Sequence, residues 1–451
     1  MESHVLAAHT SGGVSEFFAR LLTACALVGA SAAGAGEHQA TAIINARILT
    51  ATSPQIEAGT LVFKAGRIIS VGREVSIPED ALIIDAKGRW VTPGLIDPHS
   101  HLGVYPTPLL PSTMDLNEKS GNNTAEVSAE SGIWPQDPGF EQARRGGVTS
   151  MAILPGSSNM IGGRGITVKN VVRPSAAEMK FPGAPEFLKM SCGENPIKVY
   201  GGQGKAPFTR MAVAAEFRKA WAEAARYRKS ASASAAGQGD LTQDYRLEAM
   251  AGVLNGDIIP IFHCYRADEM VQMIEIAHEF RFRIGAFHHA TEAYKIAALL
   301  ASENISVATW ARRWGFKMEA YDAPDAGVAM LESAGVEVAL HSDNAILIQR
   351  MNIEASLALA AARRAGLKGD RALAIRWITL RPAKLMGIEG QTGSLEPGKM
   401  SDIVLWSEDP FSIYARADKV YIDGVLVHDR GPSDADTTSD FLTGQQPATG
   451  E

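Results

Sequence analysis

The segment Pro98-His99-Ser100-His101 closes an apolar run, GLIDPHSH, whose composition is that of a strand. Side chains two apart on a strand face the same way, so His99 and His101 present two imidazoles side by side, half of a metal site. A pair of hydrogen-bonded core histidines is the ordinary alternative for an H-x-H. The other histidines decide between the two. Of eleven in the chain, His4, His9 and His38 lie near the start, His278 in a helical stretch and His428 in a terminal strand. The remaining six, His99, His101, His263, His288, His289 and His341, fall at the ends of strand-like runs, and Asp343 shares the face of His341. Core histidines scattered at random would not sort in this way. A metal centre of imidazole and carboxylate would.

Eight runs between residues 93 and 389 have the character of strands: GLIDPHSH, GVTSMAIL, GITVKNV, EFLKMSCG, DIIPIFHCY, RIGAFHHA, ISVATW and EVALHSD. Helical patterns such as ADEMVQMIEIAHEF and TEAYKIAALLASE alternate with them, as in a parallel sheet closed by crossover helices. Eight strands make a TIM (β/α)8 barrel, which takes about 250 residues and carries its functional side chains at the C-terminal strand ends. The expected fold is α/β, with a metal-binding barrel over 93–389. Residues 39–92 and 390–430 read as short strands with turns at Ala65-Gly66, Lys87-Gly88 and Asp423-Gly424. They predict a small β-sandwich domain built from both chain ends. KSASASAAGQGD (229–240) reads as a flexible insertion, and residues 431–451 as a disordered tail.

These motifs resemble the amidohydrolase superfamily, in the branch near imidazolonepropionases and metal-dependent carboxypeptidases. The resemblance rests on VTPGLIDPHSHLG (91–103), FHCYRADE (262–269), FHHATEAYKIA (287–297), ALHSDN (339–344) and TLRPAKLMGIEGQTGSLEPGKMSDIVLW (379–406), and spans Thr41 to His428. The chain lacks the segment that follows H-x-H in imidazolonepropionases themselves. Carried over by position, His99, His101, His263, His289 and Asp343 become ligands of two divalent cations, most simply zinc. The fourth strand supplies either Lys189, as a CO2-derived carbamate, or Glu194 as a ready-made carboxylate; Lys189 is favoured, with Lys169 and Lys198 as outsiders. The HATEAY match selects His289 over His288, which is expected to turn toward a helix or the substrate. His341 is expected beside Asp343, or as a satisfied core histidine, and Asp97 to orient a ligand imidazole.

The resemblance implies hydrolysis of an amide, cyclic amide or peptide-like C–N bond by metal-activated hydroxide. Asp343 would be general base, and His288 or His341 would stabilise the oxyanion. An esterase, lactonase or deaminase on the same site, or a pseudoenzyme serving as a binding module, are the alternatives. The loops HLGVYPTPLLPSTMDLNE and TWARRWGFKMEAYD would line the mouth, where Arg312, Arg313 and Lys317 are candidates for a substrate carboxylate.

Composition narrows the partners. With 43 basic against 50 acidic side chains, a net charge of -7 and no basic stripe, a nucleic-acid or anionic-membrane partner is not expected. A small-molecule or short peptide-like substrate is, and self-association as a homo-oligomer is left open. Three cysteines, Cys25, Cys192 and Cys264, make no disulfide framework, and the latter two read as small buried residues. Residues 1–38 read as a leader. In FFARLLTACALVGASAAGAG (17–36) an arginine precedes apolar and then small residues, which favours export to the periplasm or beyond over the cytoplasm. The stretch from Leu22 to Cys25 fits a lipoprotein box, but most of the apolar run follows the cysteine, which argues against lipidation.

Overall fold

A computed structural model of the chain describes residues 39–431 other than Gly239. Residues 1–38, read above as a leader and containing the Leu22 to Cys25 stretch, and residues 432–451 of the expected disordered tail lie outside the described residues. Strands β1 (Thr41–Ile48), β2 (Ile56–Lys64), β3 (Arg67–Gly72), β4 (Leu82–Asp85) and β5 (Trp90–Pro93) precede the barrel. The barrel strands are β6 (Leu95–Ser100), β7 (Val148–Ile153), β8 (Ile161–Lys169), β9 (Glu186–Ser191), β10 (Ile258–Cys264), β11 (Ala286–His289), β12 (Ser306–Thr309) and β13 (Val338–Leu340). All eight coincide with the runs picked out in the sequence. After them come β14 (Ile403–Trp406), β15 (Ala417–Ile422) and β16 (Val425–Asp429).

Strands from both chain ends join in one hydrogen-bonded sheet, in the order β16-β15-β14-β5-β1-β2-β3 with β4 also against β1. The three turns read from the sequence form as expected. Ala65-Gly66, Lys87-Gly88 and Asp423-Gly424 each carry two successive positive φ angles; the first and last close hairpins between β2 and β3 and between β15 and β16, whereas Lys87-Gly88 links β4 to β5, both parallel to β1. What hydrogen bonding defines is this single sheet, with Ile43, Ile48, Leu61, Phe63, Val91, Ile403 and Leu405 in its buried cluster. From β5 the chain passes straight into the barrel at Gly94, where an added Cβ would lie 2.1 Å from Thr149 Oγ1. Only glycine fits that crossing.

The barrel sheet runs β13-β12-β11-β10-β9-β8-β7-β6. Its seam is laced rather than paired: Leu340 N–H donates to Trp377 O (2.8 Å), Ile96 N–H to Ile378 O (2.9 Å), and Asp343 N–H to His99 O (3.0 Å). The fold is thus of TIM-barrel type but departs from an all-parallel (β/α)8 at one strand. β8 is antiparallel to both β7 and β9. The loop 154–160 that joins β7 to β8 is too short for the crossover of a dozen or more residues that a parallel neighbour needs. A second departure is the stretch read as a flexible insertion. It is helical as far as Ala235, closing the helix Arg210–Ala235. Alanine is the strongest helix former, and the Ser232 hydroxyl donates to Arg228 O one turn back (3.0 Å). No described helix is long and apolar enough to cross a membrane.

Candidate metal centre

Period-two alternation stacks two layers inside the barrel. Phe187, Ile261, Ala286, Ala308 and Ala339 pack together in one buried cluster. Two residues further along the same strands, and so on the same faces, come Lys189, His263, His288, Trp310 and His341. An apolar floor therefore carries a polar layer, in which His99, His263, His288, His289, His341 and Lys189 are each no more than 3 % exposed.

This parity makes His288 the inward residue of β11, and corrects the expectation that it turns toward a helix or substrate. Its Nδ1 lies 2.7 Å from His99 Nδ1, within the same buried layer. His289 reaches the same interior by a different device: its φ of 69° breaks strand alternation and swings the ring over the mouth. There it stacks on Tyr265 (centroids 5.3 Å, 13°) and Trp310 (4.6 Å, 23°), with His263 edge-on at 4.5 Å.

His99, His289 and His341 bring ligand atoms within 4.8 Å of one another, as do His99, His101 and Asp343. Asp343 Oδ1 lies 3.0 Å from His101 Nε2 and 3.4 Å from His99 Nε2, and Asp343 Oδ2 lies 4.0 Å from His289 Nδ1. Lys189 Nζ is 3.4 Å from His99 Nε2 and donates to Pro155 O (3.1 Å). Its competitor Glu194 is engaged elsewhere, 3.4 Å from Lys317 Nζ. Lys169 pairs with Asp423 on the terminal sheet and Lys198 is exposed, so neither joins the cluster.

Asp97 does not orient an imidazole. Its carboxylate accepts from the backbone N–H of His99 and of Ser342 (both 3.1 Å) and from Ser342 Oγ (2.5 Å). It thereby ties β6 to the end of β13 and fixes the separation of His99 from Asp343. Nor is His341 a satisfied core histidine. Both its ring nitrogens are buried without a partner, as are both of His263, Nε2 of His288 and Nδ1 of His289. Six unpaired buried nitrogens in one cluster would be costly in an ordinary core, and those of His263 and His289, beside His99 and Asp343, are of the kind a divalent cation takes.

Electrostatics agrees. Burial, reinforced by Lys189 and by neighbouring imidazoles, holds His99, His263, His288 and His289 well below their ordinary value. His341 is held down by burial against the opposing pull of Asp343. Neutral imidazole is the ligand form. Burial also lowers the Lys189 amine to about 8. For Asp343 burial acts to raise the carboxyl, but the hydrogen bond and charge of His101, with His341 and Lys189, outweigh it and keep the group below the usual carboxylate range. Burial raises Asp97 to about 7.

A family model of the amidohydrolases matches residues 219–428. An amidohydrolase of solved structure from Thermotoga maritima is 34% identical and superposes with a TM-score of 0.80, covering 86% of this chain and 100% of that one. The chain belongs to the amidohydrolase family. Homologues in this family are hydrolases acting on carbon–nitrogen bonds. Amidohydrolase tasK of Hapsidospora irregularis is 34% identical over 397 residues, 82% of this chain but 40% of its own, so the chain spans about two fifths of that relative. An imidazolonepropionase of Colwellia psychrerythraea matches more locally, 40% identical over 78 residues, 15% of this chain and 19% of its own.

Sequence spacing missed part of this amidohydrolase's site. Tyr265 follows His263 by two, and Trp310 occupies the inward position at the end of β12; both were legible as strand-end aromatics. Cys192 and Cys264 were read as separate buried residues but form a disulfide, Cα–Cα 5.3 Å. The parallel register that sets Ser191 opposite His263 makes the next residues neighbours, and Cys192 N–H donates to His263 O (3.0 Å).

Proposed function

We propose that this chain hydrolyses an amide, cyclic amide or peptide-like C–N bond at a centre for two divalent cations held by His99, His101, His263, His289, Asp343 and a carbamate on Lys189. The observation that carries the reading is the cluster of buried, unpaired imidazole nitrogens around Asp343 and Lys189. Imidazole with carboxylate is a donor set suited to zinc, which when bound acidifies a water and polarises a carbonyl.

The chain's own groups do the rest. The Asp343 carboxylate, kept ionised, takes a proton from the attacking water and delivers it to the leaving nitrogen. Water oxygen adds to the carbonyl carbon, the C–N bond breaks, and the amine leaves with that proton. Lys189, with its amine depressed to about 8, has a substantial neutral fraction near neutrality. That nitrogen adds to CO2 and releases a proton, giving a carbamate. His341, wedged between His99, His289 and Trp310, fixes those rings, with centroids 5.1, 4.9 and 4.7 Å away. The buried His288, its Nδ1 2.7 Å from His99 Nδ1, holds the His99 ring in this reading.

Elemental mass spectrometry is expected to find about two divalent ions per chain, lost in His99→Ala. No bound metal after refolding with zinc and bicarbonate would overturn the reading. Lys189→Ala is expected to be inactive and partly rescued by acetate, which replaces the missing carboxylate, whereas Glu194→Gln retains most activity; the reverse pattern would transfer the role to Glu194.

We also place the protein in an oxidising compartment, a reading supported by the Cys192–Cys264 disulfide together with the leader composition. Alkylation of unfolded, unreduced protein purified from its own host is expected to leave both cysteines unmodified. Labelling of both would remove this support.

A further inference from the structure

The three mouth cations differ in what already neutralises them. Lys317 Nζ lies 3.2 Å from Glu319 and 3.4 Å from Glu194, and sits 3.7 Å over the Tyr265 ring. Glu319 in turn is clamped by Arg210 (2.5 Å), itself paired with Glu269 (3.0 Å). Lys317 is thus a strut of a closed charge network. Arg312 is exposed and pairs with Asp325 (3.5 Å). Arg313 alone of the three forms neither hydrogen bond nor ion pair among the described residues. Its guanidinium is half-buried and lies 5.6 Å from the centroid of the Trp310 ring.

Trp310 is a fixed surface. Its indole N–H donates to Ser342 O (3.2 Å) and its ring stacks on His289. Phe316 stands beside it (5.8 Å) and beside Tyr265 (6.1 Å), yet remains 55% exposed. An aromatic wall of Tyr265, Trp310 and Phe316 therefore runs from the imidazole cluster to solvent, and along it lies Arg313, whose charge is felt by the buried Glu354 but which has no hydrogen-bonded or ion-paired partner among the described residues. The phenyl group, half-exposed against two ordered aromatics, adds to the apolar lining of the mouth that a ligand can cover.

Building on the hydrolase reading above, we infer that the substrate is an N-acyl or peptidyl conjugate of an aromatic amino acid, its ring against Phe316 and Trp310 and its free carboxylate on Arg313. The wall supplies offset or edge-on ring contacts, and Arg313 a bidentate, charge-assisted pair that becomes strong once the wall is covered and water leaves. The same geometry disfavours amides that lack a carboxylate, because Arg313 would then lose water without gaining a hydrogen-bonded partner.

The test compares kcat/KM of the metal-loaded enzyme for N-acetylphenylalanine, N-acetylalanine and N-acetylphenylalanine amide. The aromatic acid is expected to exceed the other two by about tenfold or more. In Arg313→Gln the preference for acid over carboxamide collapses to within about threefold, and in Phe316→Ala the preference for phenylalanine over alanine does so, while Arg312→Gln changes neither. Hydrolysis without these preferences, or with preferences insensitive to both variants, overturns the inference and leaves the hydrolase intact. If nothing is hydrolysed, quenching of tryptophan fluorescence by N-acetylphenylalanine still decides it. Saturable binding weakened about tenfold or more in Arg313→Gln supports the subsite independently of turnover, and absence of binding removes it.

Discussion

Asp343→Asn is expected to lower kcat by about three to four orders of magnitude while the barrel stays folded. The residue sits just past β13 at a φ of 53°, with its N–H bonded to His99 O. Asparagine tolerates that left-handed conformation and has nearly the same volume, so the backbone device that closes the seam is kept. What disappears is the negative charge beside His101 and His99 and the group able to carry a proton from water to the leaving nitrogen. The carboxylate is 27% exposed, enough to face a substrate, yet its surroundings hold it in the ionised form across the neutral range. Steady-state kinetics, thermal denaturation and metal content of the variant separate the contributions. A change of a few degrees in Tm with near-complete loss of turnover is the expected result. Turnover within tenfold of the unaltered enzyme would remove Asp343 from the mechanism.

The features legible in the sequence were those that depend on local periodicity. Eight apolar runs became eight strands, and two-residue spacing placed Lys189, His263 and His341 over an apolar floor because side-chain direction in a strand follows from counting. The failures occurred where counting stops. At β11 the alternation rule gave His288 and His289 opposite faces. In the structure both reach the interior, because His289 adopts a positive φ, which breaks the alternation and which a strand pattern does not reveal. β8 runs antiparallel for a reason the sequence did contain, a link too short to cross the barrel, but composition alone assigns no direction to a strand. Asp97 shares a face with His99 by count, yet its partner is Ser342, 245 residues away across the seam. The Arg210, Glu269, Glu319 and Lys317 network, and the Cys192–Cys264 pair, likewise depend on which strands and loops are neighbours. Tertiary pairing, not residue type, distinguished Arg313 from Arg312 and Lys317.

The buried imidazoles also set how the metal-free protein responds to acid, and here the expected effect is on stability. His99, His263, His288, His289 and His341 are all held well below 6.5, chiefly by burial. Below about pH 6.5 each ring is protonated in the unfolded chain and neutral in the folded one, so the unfolded state takes up the excess protons and stability falls with pH. Asp97 and Glu269, raised to about 7 by burial, work in the opposite sense between about pH 4 and 7. They are protonated in the folded chain and ionised in the unfolded one, and with Asp137, Glu354 and Asp402, which burial also raises, they oppose the rings. The unpaired rings thereby bring on an acid transition of the stripped protein as the pH falls below about 6.5, and the buried carboxyls limit its depth. Far-UV circular dichroism against pH is expected to show that transition, displaced to lower pH on metal loading because cation and protons compete for the same ring nitrogens. His341→Gln removes one titrating ring and is expected to flatten the stripped protein's transition. A midpoint below about pH 3.5 in the stripped protein, unaffected by that substitution, would mean that the rings protonate in place without cost. The layer would then be a solvated cluster, and the unpaired nitrogens would no longer argue for a metal.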